Sequence, residues 1–218
     1  MSKFYTNLVL LGDDILYRGY EHGQRVQYRD RSSPVLFFVP QAQTKDTKFR
    51  TLDGRRAYKK KFSGAREARE VLKQYENTDG LEVHGYERFV YQHINQQFPN
   101  DIDYDMSMMK IYTIDIEVAC ENGFPDVEAS AEEMLCLTIK DFNTKKIITW
   151  GTREFTPPEG VEYRVFWTEQ EMLQDFHKWW SDNTPDIITG WNNNLYDIPY
   201  ICRRIERVLG EKWKKSLS

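Results

Sequence analysis

Two carboxylates stand two residues apart in the stretch Lys110–Val118, KIYTIDIEV, which has the composition of a β-strand. Because successive side chains of a strand point to opposite faces, Asp115 and Glu117 share one face, and apolar residues occupy the other. Like charges this close repel each other, and a divalent cation between them removes that cost. The pair is therefore a candidate metal site. The alternative is a half-buried strand with one solvated face, which gives the same alternation.

A third carboxylate, Asp197, stands immediately before a predicted helix that has Pro199 in its first turn. One interpretation is a helix N-cap, a frequent role of Asp. The other interpretation rests on residues 190–194, GWNNN, a polar turn after a predicted buried strand, because α/β sheets build sites at the carboxyl ends of strands. If the Asp197 carboxylate lies near Asp115 and Glu117, three acids surround one point. Three acids without His or Cys suit magnesium or manganese, and such a cluster supports phosphodiester hydrolysis by two metal ions.

The second part of the chain supplies the elements that must position these acids. Its periodicities predict the order β-β-β-α-β-α. The second and third strands form an antiparallel hairpin, and Thr168 with Glu171 has the spacing of a capping box. The predicted elements are the carboxylate strand, strands at 134–141 and 146–151, a helix from 168 to about 182, a strand at 186–189, and a helix that follows Asp197 and is closed by Gly210.

The first part of the chain is predicted to be a β-rich domain that ends near residue 105. Glu21-His22-Gly23-Gln24 is a hairpin turn signal between two strands. Residues 41–62 are predicted to be a long loop or an irregular hairpin, and Ser63 is predicted to cap a helix that reaches about Asn77. The other predicted elements are the strands KFYTNLVLL, VLFFV and Tyr86–Ile94, followed by a polar connector at 95–109.

Composition is typical of a soluble globular protein of one large or two small domains, with 40% hydrophobic and 29% charged residues in 218. No apolar run approaches the roughly 20 residues that span a bilayer, and the N-terminus is predicted to be a strand, not a signal peptide. The four histidines lack zinc-ligand spacing. Three well-separated cysteines in apolar contexts, Cys120, Cys136 and Cys202, predict buried, reduced thiols in a cytosolic protein.

Charge is unevenly distributed although the net charge is only −4. Between Lys48 and Arg69, nine residues are basic and two are acidic. Such a run is either a solvated, mobile face or a surface that contacts phosphates. The candidates for contact with a nucleic-acid backbone are Arg55, Arg56, Lys59, Lys60 and Lys61.

Four segments, TIDIEV, GFPDVEA, EMLQDFHKWW and TGWNNNLYDIPYICRRIERVLGE, resemble the proofreading exonuclease region of family B DNA polymerases, in particular those of T-even-type bacteriophages. Asp115-Ile116-Glu117 resembles the first exonuclease motif of that family, and Asn192-x-x-x-x-Asp197 resembles the second. The resemblance covers residues 108–211 well and residues 1–107 more loosely. It implies an α/β (α+β) chain, with a phage-type N-terminal domain at 1–107 and a partial ribonuclease-H-like 3′–5′ exonuclease domain at 108–218.

The resemblance also implies roles for single residues. Asp115, Glu117 and Asp197 would be catalytic and would bind two magnesium or manganese ions. Asn192 would position the substrate or support the site, and Phe124 would pack against the frayed 3′ end. Stacking of a base on an aromatic ring is tolerant of sequence, as proofreading requires. The alternative for Phe124 is a loop residue tucked into the core.

Two departures from the family shape the functional hypothesis. The fourth carboxylate of the family, in a Tyr-x-x-x-Asp motif, and the last strand and helix of its fold are not among these 218 residues. The palm, fingers and thumb of a polymerase are not among them either. The first hypothesis is therefore an N-terminal fragment or subunit of a DNA polymerase whose exonuclease site a C-terminal partner chain completes, cut at a surface loop with the basic tail Lys212–Lys215.

Other hypotheses stay open at this point. The chain could be an excised fragment, a non-catalytic module that binds template DNA or RNA, or a stand-alone nuclease of the same superfamily. The expected partners are the single-stranded 3′ end and template of DNA, with RNA as a further candidate and no membrane. The expected location is the cytoplasm of an infected bacterial host.

Overall fold

The computed structural model describes residues 3–42, 46–85, 87–121 and 123–217. The chain divides into two compact units, Met1–Asp105 and Met106–Ser218. The first unit is rich in strands and the second mixes strands with longer helices, so the predicted α/β class is confirmed. Within the described ranges, every helix is too short or too polar to cross a bilayer.

The first sheet of the first unit is a three-stranded antiparallel meander. Its strands are β1 (Lys3–Leu11), β2 (Asp14–Glu21) and β3 (Gln24–Arg31), in that order. The two residues between β2 and β3 have positive φ angles, +53° at His22 and +84° at Gly23. Two-residue turns of this kind match the twist of the strands that they join, and the predicted hairpin is confirmed.

The second sheet of the first unit has four strands in the order β5-β6-β4-β7. The strands are β4 (Val35–Pro40), β5 (Phe49–Arg50), β6 (Arg56–Lys61) and β7 (Leu81–His84). The irregular hairpin predicted at 41–62 is present as β5 and β6, whereas β7 was not predicted. Helix α1 (Ala65–Tyr75) contributes to the core on one face of this sheet. That core contains Leu36, Phe62, Ala65, Ala68 and Phe89.

The start of α1 differs from the prediction by one residue. The N-cap position is Gly64, which has no side chain to cap the helix. Ser63 instead donates its backbone N–H and its hydroxyl to Glu67 Oε2, at 3.0 and 2.7 Å. The predicted capping residue therefore stabilises the first turn from one position further out.

The predicted strand at Tyr86–Ile94 is wrong, because Phe89–Gln97 forms helix α2. Tyr86 itself lies outside the described residues. Phe89 and His93, four residues apart, are buried on one face of the helix. The Gln92 side chain bonds both the N–H and the C=O of Val35, at 2.8 and 3.1 Å. Aromatic and β-branched residues favour a strand locally, and tertiary packing overrides that preference here.

The second unit is built on a five-stranded sheet in the order β11-β10-β9-β8-β12. β8 pairs antiparallel with β9 and β9 with β10, whereas β11 is parallel to β10 and β12 is parallel to β8. A short 3-10 turn, Met106–Met108, precedes the sheet. The strands are β8 (Ile111–Val118), β9 (Met134–Asp141), β10 (Ile147–Gly151), β11 (Val161–Val165) and β12 (Ile187–Thr189).

Helices of the second unit pack against the apolar side of this sheet. They are α3 (Glu169–Asn183), α4 (Asp197–Leu209) and α5 (Glu211–Lys215). The predicted capping box of Thr168 and Glu171 opens α3, and Gly210 closes α4 with a φ of +102°. The fully buried residues of this core include Leu137, Trp150, Met172, Leu173, Tyr200 and Ile205.

Three details of the second unit differ from the prediction. The observed order is β-β-β-β-α-β-α-α, because β11 and α5 were not predicted. The strand β11, VEYRV, was missed because two of its five residues are charged. These residues, Glu162 and Arg164, pair with each other at 2.6 Å. The basic tail is a helix and not a loop, with the Trp213 ring 4.8 Å from His177. Cys120 is exposed and not buried, since it lies in the loop after β8.

Candidate active site

The alternation of β8 places two carboxylates on the exposed face of the sheet. Asp115 and Glu117 are exposed, whereas Ile114 and Ile116 between and beside them are 1% and 7% exposed and belong to the core. The register opposite these acids on β9 is Thr138 and Cys136. The strand therefore presents both acids to solvent from a rigid element whose other face is anchored in the core.

Asp197 reaches this strand from the start of α4. Its carboxylate Oδ1 accepts the backbone N–H of Ile116 at 3.3 Å. The bond forms beyond the end of β12, which pairs with β8 only as far as Thr113. Asp197 is the first residue of α4 and not its N-cap, so the capping interpretation is wrong.

The electrostatic environment of Asp197 couples it to the acids of β8. Asp197 is 4% exposed, and burial raises the pKa of its carboxyl above the usual range. The bond from Ile116 opposes this effect, and the negative charge of Asp115 raises the pKa further. A cation at this place would relieve both the burial cost and the repulsion.

Between β12 and α4, the backbone at Gly190 passes close to the backbone of β8. A Cβ on Gly190 would lie 2.6 Å from the carbonyl oxygen of Ile114 and 2.2 Å from Oδ1 of Asn193, so only glycine fits. Asn192 follows with a φ of +63°, and its carbonyl oxygen accepts the N–H groups of Leu195 and Tyr196 at 3.0 Å each. The Asn192 side chain is exposed, so a substrate could reach it.

Phe124 stands at the open side of the same region. Its side chain is 81% exposed, which rules out the alternative of a core residue. Its ring lies 5.1 Å from that of Tyr196, which in turn lies 5.6 Å from the buried Tyr200. This aromatic row connects the core to the surface beside Asp197. The neighbouring turn residue Asn122 lies outside the described residues.

The geometry agrees with a comparison of sequences. A sequence model described as DNA polymerase family B, exonuclease domain, matches residues 86–217. The chain belongs to the family B DNA polymerases. The matched range contains the positions of Asp115, Glu117 and Asp197.

Relatives within the family include two phage enzymes. The DNA-directed DNA polymerase of Escherichia phage RB69 is 28% identical over 250 residues, and that of Enterobacteria phage T4 is 26% identical over 249. Each alignment covers 100% of this chain and 27% of the relative, so the chain spans about a quarter of their length. The DNA polymerase catalytic subunit of Human herpesvirus 7 (strain JI) is 33% identical over 102 residues, which are 44% of this chain and 10% of the relative.

Sequence reasoning missed the arginines that hold the site loop of this family B chain. Arg204 makes a bidentate pair with Glu169, 2.6 Å on each side, and donates to the carbonyls of Ser130 and Ala131. Arg203 and Arg207 bond the same loop one turn apart on α4. Their spacing on α4 was the available signal. They fix the loop between β8 and β9, which also carries Phe124.

Exposed apolar residues around the turn were missed as well. Trp191 is 93% exposed and Leu195 is 76% exposed, on either side of Asn192. A Trp placed among glycine and asparagines, with no apolar neighbour to pack it, was the signal in the sequence. An exposed aromatic ring such as that of Trp191 is suited to stacking with a base.

Exonuclease domains of this family generally depend on divalent metal ions, and the donor chemistry fits such an ion. Asp115, Glu117 and Asp197 offer only oxygen donors. Cys136 stands opposite Glu117 on β9, and burial together with the charge of Glu117 raises the pKa of its thiol, which makes it a poor metal ligand. Among the described residues, no three His, Cys, Asp or Glu side chains are grouped closely enough to hold a metal by themselves. These acids would therefore need to rearrange or gain a further ligand.

The basic run lies in the first unit, and the structure divides its members. Arg55 pairs with Asp53 and with Glu82, and Arg56 lies 3.8 Å from Asp46. The exposed residues Lys59, Lys60 and Lys61 follow one another along β6. The lysines are thus better placed than the arginines to meet phosphates.

Proposed function

We propose that Asp115, Glu117 and Asp197 are three of the acids of a metal-dependent 3′–5′ proofreading exonuclease. The observation that carries the proposal is the position of the Asp197 carboxylate, which accepts a hydrogen bond from the backbone of β8 at Ile116. There, the negative charge of Asp115 raises the pKa of Asp197. A buried acid with a raised pKa, beside two exposed acids, lowers the stability of the folded state when it is ionised. It is expected where a cation must be bound.

Each group has a part in the proposed hydrolysis of the terminal phosphodiester. Magnesium or manganese ions, when bound, supply a hydroxide nucleophile and stabilise the leaving oxygen. Asp115 and Glu117 would hold these ions from a strand whose other face is packed in the core. Phe124 and Tyr196 form a surface on which the terminal base stacks, and Asn192 offers an amide to the substrate.

We further propose that a C-terminal partner chain completes the site and carries the polymerase. Support comes from the three-residue edge strand β12, which leaves one side of the sheet free within the described residues, and from the greater length of the phage relatives. The partner would contribute a fourth carboxylate and a strand beside β12. The phage relatives support the cytoplasm of an infected bacterium as the place of action.

Nuclease assays on single-stranded DNA test this proposal. The chain alone with manganese should degrade DNA weakly or not at all, and addition of the C-terminal polymerase fragment of a phage relative should restore activity. Asp115→Ala should abolish the restored activity, whereas Asp182→Ala, an exposed acid of α3, should not. Robust activity of the lone chain that Asp115→Ala abolishes would contradict completion by a partner. Activity that survives Asp115→Ala would contradict the site itself.

A second, non-catalytic function is favoured by the exposed lysines of β6. We propose that they contact the backbone of template DNA or of RNA. Charge reversal of Lys59, Lys60 and Lys61 should weaken binding and reduce its dependence on salt, since each phosphate contact releases counterions. Unchanged affinity and salt dependence would refute this function and leave the exonuclease proposal intact.

A further inference from the structure

One face of the four-stranded sheet in the first unit carries aromatic side chains outside the core. Leu36 and Phe38 on β4 pack with α1, so Phe37 between them points to the other face. Its ring lies 5.3 Å from that of Phe49 on β5, at an angle of 66°. These two rings, here called the aromatic platform, have no place in the exonuclease site or in the core.

The aromatic platform borders a cavity of about 510 Å³. Ala57 forms part of its wall, and the fully exposed Leu52 stands at its rim. Most of the exposed area of the wall is apolar, as in sites that bind planar organic groups, although only four of its nine residues are apolar. The remaining lining residues are polar or charged, namely Arg50, Thr51, Asp53, Arg55 and His84.

Free positive charges flank the aromatic platform. The amino groups of Lys48 and Lys59 lie 5.4 and 5.7 Å from the centre of the Phe49 ring. No carboxylate of the described residues forms an ion pair with either lysine. The one acid in the wall, Asp53, is bound by Arg55 at 2.7 Å. The cavity therefore combines the aromatic platform with two lysines that have no carboxylate partner among the described residues.

We propose that the aromatic platform is a base-binding subsite for single-stranded nucleic acid, in which one base enters the cavity and Lys48 and Lys59 meet the adjoining phosphates. The inference rests on the second proposed function and adds the site of base contact. A nucleotide combines a flat aromatic ring with an anion on a short link, which matches this arrangement. A wholly apolar ligand would make no ion pair with the lysines, and an acidic peptide would not stack on the aromatic platform.

Binding to a circular oligonucleotide tests the proposal. A short, labelled, circularised oligo(dT) has no 3′ end for the exonuclease site, and EDTA removes divalent ions. Fluorescence anisotropy with the full 218-residue chain should show binding, which Phe49→Ala weakens by about 5- to 100-fold, the range for loss of base stacking. Phe49→Leu keeps apolar bulk and should still weaken binding. A circular oligo(rU) in parallel shows whether RNA or DNA binds more tightly.

Lysine variants separate stacking from charge. Lys59→Gln should lower the slope of log affinity against log salt by roughly 0.7. The matched control is Lys145→Gln, since Lys145 also lies over a phenylalanine ring, Phe142 at 4.3 Å, but in a turn of the second unit. The control should bind as the wild type does.

The outcomes distinguish this inference from the functions above. Equal affinity of Phe49→Leu, Phe49→Ala and wild type would overturn the base-binding subsite, even if charge reversal of the lysines still weakened binding. Failure of the wild type to bind either circle would overturn the subsite and the second function together. In that case, binding of a linear strand that depends on Phe124 would leave the exonuclease proposal standing.

Discussion

The two units of the chain treat charge in opposite ways. Residues 1–105 carry 17 Lys and Arg against 15 Asp and Glu, whereas residues 106–218 carry 13 against 19. Ion pairs of the first unit are mostly exposed, such as Arg55 with Glu82, whose side chains are 42% and 51% exposed. The second unit buries its strongest pair, Arg204 with Glu169, at 10% and 9%. The second unit has exposed pairs as well, such as Lys215 with Glu211, but it also uses a buried pair within its framework.

The difference follows from what each kind of pair can do. Exposed pairs contribute little to stability, so a surface can keep unpaired lysines at small cost. Buried charges lose their hydration and are tolerated only in one well-bonded geometry, which makes them suitable for fixing a loop. The second unit fixes the loop of Phe124 in this way, and the first unit leaves charge available to a ligand.

The largest effect should come from breaking the buried pair. Arg204→Met leaves Glu169 buried without its partner and also removes bonds to the site loop, so we expect a loss of roughly 3–5 kcal/mol in unfolding free energy. Arg203→Met, which breaks an exposed pair with Glu128, should cost less than about 1 kcal/mol. Urea denaturation followed by tryptophan fluorescence measures both, because every Trp lies at or after position 150.

A double variant separates the buried charge from lost packing. Glu169→Leu with Arg204→Met strands no charge and should be more stable than Arg204→Met alone. If the double variant were instead the less stable of the two, packing and loop bonds would explain the loss. The contrast between buried and exposed pairs would then be wrong.

The second effect should come from the close approach at Gly190. Gly190→Ala would force a Cβ against Ile114 and Asn193, and we expect a loss of about 1–3 kcal/mol together with loss of metal-stimulated stabilisation. Gly160→Ala is the matched control, since Gly160 also has a positive φ, +85°, but no atom within 4 Å of the added Cβ. Its cost should be about 1 kcal/mol from the backbone alone. Equal costs would show that the approach of strand and turn is not tight.

A gain in stability is expected from Asp197→Asn. The folded state raises the pKa of this carboxyl, so its ionised form costs stability at every pH above its unfolded pKa. Asparagine keeps an acceptor for Ile116 without the charge, and a gain of about 0.5–2 kcal/mol is typical for removal of such a functional group. Magnesium or manganese should raise the melting temperature of the wild type and not of the variant. Equal responses to metal would remove Asp197 from the proposed ligand set.

The sequence predicted best those features that depend only on residues close together in the chain. Alternation in β8 and the capping box at Thr168 depend only on neighbouring residues, and both are present. Helix α2 was misread because Gln92 and its neighbours are set by contacts with β4, more than 50 residues away. The approach of Asp197 to Ile116 also joins distant residues. The rule that α/β sheets build sites at strand ends suggested it only as one of two interpretations, and the family resemblance favoured it. Charged short strands such as β11 carry too few apolar residues for periodicity to detect.

The smallest effect should be a pH dependence in the first unit. Burial lowers the pKa of His93 below its usual 6.5, and nearby Lys3 lowers it further, whereas Asp30, 3.7 Å away, raises it. The unfolded chain then binds a proton more readily, so the contribution of neutral His93 is complete above about pH 6.5 and is lost as pH falls towards the folded pKa. Guanidinium denaturation at about pH 7.5 and about pH 5.5 should show a larger loss of stability for the wild type than for His93→Gln. An equal loss in both would mean that His93 is hydrated in the folded state and that the first unit, like its surface, leaves its titratable groups open to solvent.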